Sequence, residues 1–191
     1  MIYQPPFFAG DTTDFGLGDL TPEFFISPKN PIPLAPGLGL VWGAGPAFQL
    51  PTTTDRRLGS GMWSAGPGLV VLLLSQKPNV VTGFVVNNLW SFASEEDHRA
   101  DVNAMTLQPF FNYNLPGGWY LTTSPLITAD WEADSQNRWT VPVGGGFGRI
   151  FKIGSQPVNA QLTAYDNVVS PQATGADWQL RAEFTFLFPE K

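Results

Sequence analysis

Alternation along Trp178-Gln-Leu-Arg-Ala-Glu-Phe-Thr-Phe-Leu-Phe188 constrains this chain more than any other feature. Trp178, Leu180, Ala182, Phe184, Phe186 and Phe188 fall on one side, and Gln179, Arg181, Glu183 and Thr185 on the other. A strand turns successive side chains to opposite faces, so the segment describes a sheet with an apolar and a charged surface. It is also long enough to cross a bilayer as a tilted strand, which takes about 9–11 residues. Such a surface meets either lipid or the core of a protein.

The same pattern predicts strands over 15–27, 38–51, 63–74, 80–92, 102–115, 119–131, 139–153, 158–168 and 178–188. Helix signals are nearly absent, because Gly, Pro and period-two patterning interrupt every stretch long enough for a helix. The connections sort by length. Thr52–Met62, Ala93–Asp101, Glu132–Arg138 and Val169–Asp177 are longer and polar, whereas Ser75–Asn79, Pro116–Gly118 and Gly154–Pro157 are short. Pro28–Gly37 is the exception, a long connection on the short side. Long loops on one rim and short turns on the other are the signature of an outer-membrane barrel.

Faces and end-groups agree with that reading. Trp42, Trp63, Trp90, Trp119, Trp131, Trp139 and Trp178 lie at or near strand ends, where indoles sit when an apolar belt meets headgroups. The bland alternative makes them core tryptophans of a sandwich. Asp19, Glu23, Asp130, Glu132, Arg181 and Glu183 fall on polar faces, while Arg149 and Asp166 break the rule near strand ends. Asn88 falls on an apolar face without explanation. Pro22, Pro46, Pro67, Pro109, Pro125 and Pro142 sit inside the predicted strands and mark either repeated bends or true breaks.

Composition removes several classes of function. The charged fraction is 14% and the net charge −6, which excludes phosphate neutralisation of the kind nucleic-acid binding needs. With no cysteine there is no disulfide, thiol nucleophile or thiolate metal site. The longest apolar run, Leu69–Leu74, is far short of a membrane helix of about 20 residues. No basic-then-apolar leader begins at Met1, so the chain reads as cytoplasmic and soluble or as lacking its original start.

Several stretches have a familiar wording: Gly16-Leu-Gly-Asp-Leu-Thr-Pro22, Val41-Trp-Gly-Ala-Gly-Pro-Ala-Phe-Gln-Leu-Pro51, Val86-Asn-Asn-Leu-Trp-Ser-Phe92, Leu107-Gln-Pro-Phe-Phe-Asn-Tyr-Asn114 and Asn137-Arg-Trp-Thr-Val-Pro142. Over roughly residues 13–188 the chain resembles the barrel family named for the MetA pathway of phenol degradation, some of whose members carry a neuromedin U label. The resemblance implies a Gram-negative outer-membrane barrel that transports small organic molecules. It carries over no catalytic or ligand position. Members of that family begin with a leader and further strands, whereas Met1-Ile-Tyr-Gln-Pro-Pro reads as the tail of a strand already under way. The expectation is a single barrel domain over 1–191, lacking N-terminal strands of a parent with about twelve strands.

Candidate chemistry is thin. His98, the only histidine, has no marked nucleophile beside it, and Glu95, Glu96, Asp97 and Asp101 match no defined Ca²⁺ loop. Gly144-Gly-Gly-Phe-Gly148 precedes a strand and not a helix, so it makes room for a neighbouring side chain or a bend, not for a phosphate. Asp130 and Glu132, two apart near a rim, fit a pore lining better than a glycosidase pair.

The sequence leads to the expectation of an antiparallel transmembrane β-barrel of the outer membrane, acting as a porin-like passive channel for small organic solutes, hydrophobic or aromatic ones among them. It has no enzymatic activity, cofactor or metal. Asp19, Glu23, Gln108, Asn112, Asn114, Thr128, Asp130, Asn159, Gln161, Arg181 and Glu183 would line the lumen. Its partners would be outer-membrane lipid and a small organic solute, not nucleic acid, with the oligomeric state open. The alternative is a non-transporting structural or ligand-binding barrel, with loops 52–62 and 93–101 as its contact surface and Phe25, Phe110, Leu72 and Leu74 filling the interior. A soluble β-sandwich binding module, of a carbohydrate-binding kind, comes third.

Overall fold

Apolar–polar alternation builds strands almost everywhere it occurs. The computed structural model describes residues 2–4, 14–55, 58–94, 100–172 and 176–188. Strands β1 (Ile2–Gln4) and β2 (Asp14–Gly16) pair with each other. They are followed by β3 (Ile32–Ala35), β4 (Leu38–Gln49), β5 (Met62–Ser75), β6 (Val80–Ser94) and β7 (Asn103–Asn114). Then come a single 3-10 turn at Pro116–Gly118, β8 (Trp119–Thr123), β9 (Ile127–Asp130), β10 (Trp139–Ile153), β11 (Gln156–Val169) and β12 (Trp178–Phe186). No described helix is long and apolar enough to cross a membrane.

From β3 to β12 the strands form one ten-stranded antiparallel sheet in sequence order, with β8 and β9 lying end to end between β7 and β10. The predicted strand 119–131 is therefore split, and the split falls at Pro125, which has no N–H to donate. The predicted strand 15–27 is reduced to β2 and to three isolated bridges, Leu20–Leu50, Glu23–Ala47 and Ile26–Ala44, along the outer side of β4. The long connection Pro28–Gly37 is accounted for by β3, which folds back on β4 through a tight turn.

The sheet does not close. Among the described residues, no pairing joins β12 to β3 or to the bridges at Leu20–Ile26. The expected transmembrane barrel, with about 9–10 of its strands in this chain, is thus corrected to an open sheet, and four further expectations fall with it. A sheet with two free edges walls off no lumen, so the passive channel and transport reading is overturned. Hydrocarbon tolerates only structures whose backbone groups are all paired, so the transmembrane strands, outer-membrane location and lipid partner are not supported either.

The two faces nevertheless differ as their residues require. The polar side is the inner one. Ser64, Asn87, Thr122 and Thr163 are buried there together with Tyr120 and Tyr165. Outward-facing Trp119, Leu121, Phe147, Leu162, Leu180, Phe184 and Phe186 are largely exposed. Bulky inner side chains are laid over glycines of nearby strands. A Cβ on Gly68 would lie 3.2 Å from Cε1 of Phe25, and one on Gly83 3.0 Å from Cζ of Phe110. The strand prolines play two roles. Pro46 and Pro67 face each other within continuous pairing, whereas Pro142 adjoins a register shift and Pro125 a break.

Candidate functional site: a polar hollow across five strands

Tyr120 is the centre of the site, and Gly148 is what lets it be so. In the cross-strand row Tyr120–Gly148–Gln161, the middle position has no side chain. A Cβ there would stand 2.2 Å from both Cζ and Oη of Tyr120, so the ring lies directly over β10. The phenol therefore skips a strand. Its Oη lies 2.7 Å from Asn159 Oδ1 and 3.0 Å from Gln161 Oε1, both on β11. A hydroxyl has one proton, so it donates to one amide and accepts from the other once that amide is turned. Burial raises the Tyr120 pKa above its usual value of 10.0, and nearby Glu183 adds to the rise while the Asn159 bond opposes it.

Around this phenol the inner face forms a hollow of about 290 Å³, lined by Val81, Asn112, Asn114, Tyr120, Ile150, Asn159 and Gln161. No charged side chain lines it. Four carboxamides and one phenol supply donors and acceptors, while Val81 and Ile150 supply apolar wall. The hollow opens toward the short-turn rim, where Asn114 Nδ2 also donates to Asn79 Oδ1 at 3.2 Å.

A second cluster lies deeper along the same face. Ser124 sits in the gap between β8 and β9, where the sheet offers its backbone no partner. Its N–H donates to Tyr165 Oη at 2.9 Å, and its C=O accepts from Arg181 Nη1 at 3.3 Å. Gln108 Nε2 donates to the Ser124 hydroxyl at 2.8 Å. The Arg181 guanidinium stands 5.7 Å from the Tyr165 ring centre and 3.8 Å from Glu183 Oε1. Backbone groups freed by Pro125 are thereby satisfied from strands up to three positions away.

The residues expected to line a lumen divide among several places. Asn112, Asn114, Asn159 and Gln161 meet at the hollow, and Gln108, Arg181 and Glu183 meet at the Ser124 cluster. Glu23 accepts from Asn87 Nδ2, and Asp19 Oδ2 accepts from the Ser60 N–H and hydroxyl and from Gln49 Nε2. Both of these are brace contacts, away from the hollow. Thr128 sits in register between Thr106 and Thr140, and Asp130 Oδ1 accepts from the Glu132 N–H as a turn contact. His98 and Glu95–Asp97 lie outside the described residues. No group of three or more metal-ligating side chains occurs among the described residues.

Tyr120, Thr122 and Ser124 are not among the residues that the sequence marks as functional. The signal available was the pairing of an inward tyrosine with an inward glycine on the adjacent strand, which becomes meaningful only once register is known. Two misfits are also resolved. Asn88 Oδ1 accepts from Trp131 Nε1 at 2.8 Å, and its Nδ2 donates to Asn103 Oδ1 at 3.1 Å. Arg149 stands 5.1 Å from the Trp119 ring centre, a cation–π placement that satisfies a charge on the apolar face.

No family model matches the chain, and no curated protein or solved structure does either. The resemblance to the MetA-pathway phenol-degradation barrels is therefore not upheld, and the open sheet contradicts the fold that it implied.

Proposed function

We propose that the chain is a non-transporting binding module whose inner face captures a small, neutral, polyhydroxylated molecule of about monosaccharide size. The observation that carries this reading is the convergence of Asn112, Asn114, Asn159, Gln161 and the Tyr120 phenol on one uncharged hollow of about 290 Å³. Carboxamides both donate and accept, which matches hydroxyl groups that do the same, and the Tyr120 ring edge with Val81 and Ile150 suits the C–H faces of a sugar. An ion would meet no compensating charge among the lining residues. The reading involves no catalysis and no cofactor. The polar residues first assigned to a pore lining become ligand-facing or scaffold residues of this module.

Isothermal titration calorimetry against a panel of monosaccharides, linear polyols, phenol and simple anions tests the reading. Binding of at least one polyol is expected, with Asn159→Leu and Gln161→Leu each weakening it about tenfold. Binding of phenol or anions alone, or polyol binding unaffected by both substitutions, contradicts it.

A further inference from the structure

The two edges of the open sheet are built very differently. The edge at Leu20–Ala35 is broken into isolated bridges and a short strand, and it carries Pro22, Pro28, Lys29, Pro31 and Pro33. Such features guard an edge against further pairing. The β12 edge has none of them. From Trp178 to Phe186 there is no proline, no lysine and no bulge, and its pairing with β11 runs without a register shift.

The direction of its free backbone groups follows from the hydrogen bonds at its two ends. Leu187 N–H donates to Pro157 C=O at 3.0 Å, and Asp177 C=O accepts from Asn167 N–H at 2.8 Å. Hydrogen-bonded positions alternate along an antiparallel pair. The odd-numbered residues of β12 therefore bond to β11, and Trp178, Leu180, Ala182, Phe184 and Phe186 direct their N–H and C=O groups to the open side.

We infer that β12 pairs with β12 of a second copy of this chain, antiparallel about a two-fold axis at Ala182. Ala182 then faces its own copy, Leu180 faces Phe184, and Trp178 faces Phe186. All of these are outward-bonding positions, so every free backbone group of the strand is satisfied. The remaining positions are non-hydrogen-bonded pairs, where Cα atoms stand closest, at about 4.5 Å. In that register Arg181 faces Glu183 of the second copy, and Glu183 faces its Arg181. The strand is thus self-complementary in charge as well as in apolar pairing, as an isologous interface requires. The Arg181 and Glu183 side chains stay about 29% and 42% exposed in the single chain, which leaves them available to a partner. This inference is independent of what occupies the hollow.

Sedimentation equilibrium of the full chain and three variants tests it. The unaltered chain is expected to be a dimer. Arg181→Glu places two glutamates opposite each other across the axis, and Glu183→Arg places two arginines so. Each is expected to weaken association about tenfold or more. Mixed together, the two variants regain opposite charges at both pairs and are expected to form a mixed dimer. Ala182→Pro removes only an outward N–H, so it is expected to give a monomer whose circular dichroism is unchanged. A monomeric unaltered chain overturns the inference. So does a dimer that survives all three substitutions, or a failure of the charge-reversed pair to associate on mixing.

Discussion

Tyr120 and Asn159 lie on strands that are not neighbours, yet the phenol oxygen and Asn159 Oδ1 are 2.7 Å apart, because Gly148 on the intervening strand leaves the path open. This contact defines the hollow and depends on a residue that contributes nothing but space.

Gly148→Ala is accordingly expected to destabilise the fold by about 1–3 kcal/mol, since the new methyl group must displace the Tyr120 ring. In a Tyr120→Thr background the same substitution is expected to cost much less. Equilibrium urea unfolding of the four proteins in this cycle gives the coupling directly. Additive effects would mean that the ring does not cross Gly148.

The raised Tyr120 pKa makes a statement about stability. The folded chain holds the phenolic proton more tightly than the unfolded chain does. The associated stabilisation is fully present below the unfolded value of about 10 and is lost as pH rises through the higher folded value. Ultraviolet titration of tyrosinate is expected to contain a phase above the ordinary tyrosine range, and Tyr120→Phe to remove that phase. The variant is expected to lose about 1 kcal/mol at neutral pH through its missing hydrogen bond.

Tyr165 and Ser124 provide a separate test of how the broken strand is held. Tyr165→Phe removes the acceptor for the Ser124 N–H, at a position where the Tyr165 side chain is only 3% exposed. The expected cost is about 1–3 kcal/mol. Amide exchange should quicken locally at Ser124 while the β5–β6 pairing stays protected.

Glu23 ties the irregular edge to β6 by accepting from Asn87 Nδ2. Glu23→Ala leaves that buried amide without its acceptor, again at about 1–3 kcal/mol. The edge segment is otherwise held by Phe24 N–H to Pro46 C=O and Ile26 N–H to Ala44 C=O, both 3.0 Å. Exchange at those two amides should accelerate, and β10–β11 exchange should not change.

Strand positions were legible because period-two patterning is local: the segments at 139–153 and 80–92 correspond closely to β10 and β6. Pro125 shows where locality ends, since the same pattern continues across a break that only backbone pairing defines. Closure was not legible. Alternation states that a strand has two faces, but not whether Trp178–Phe186 finds a partner on its second side. The hollow was half legible. Asn112, Asn114, Asn159 and Gln161 could be assigned to polar faces, yet their convergence on Tyr120 needs the register that puts Gly148 between them. The apolar girdle was read correctly as a face and wrongly as a bilayer surface, because exposure alone does not identify what an apolar face meets.

The most direct test of the proposed binding role is a nuclear magnetic resonance titration that follows the side-chain amide signals of Asn112, Asn114, Asn159 and Gln161. On addition of a monosaccharide or polyol, all four are expected to shift together along one saturable curve, while the Gln49 and Gln179 amides stay in place. Shifts confined to other amides, or no saturable shift with any neutral polyol, would contradict the account.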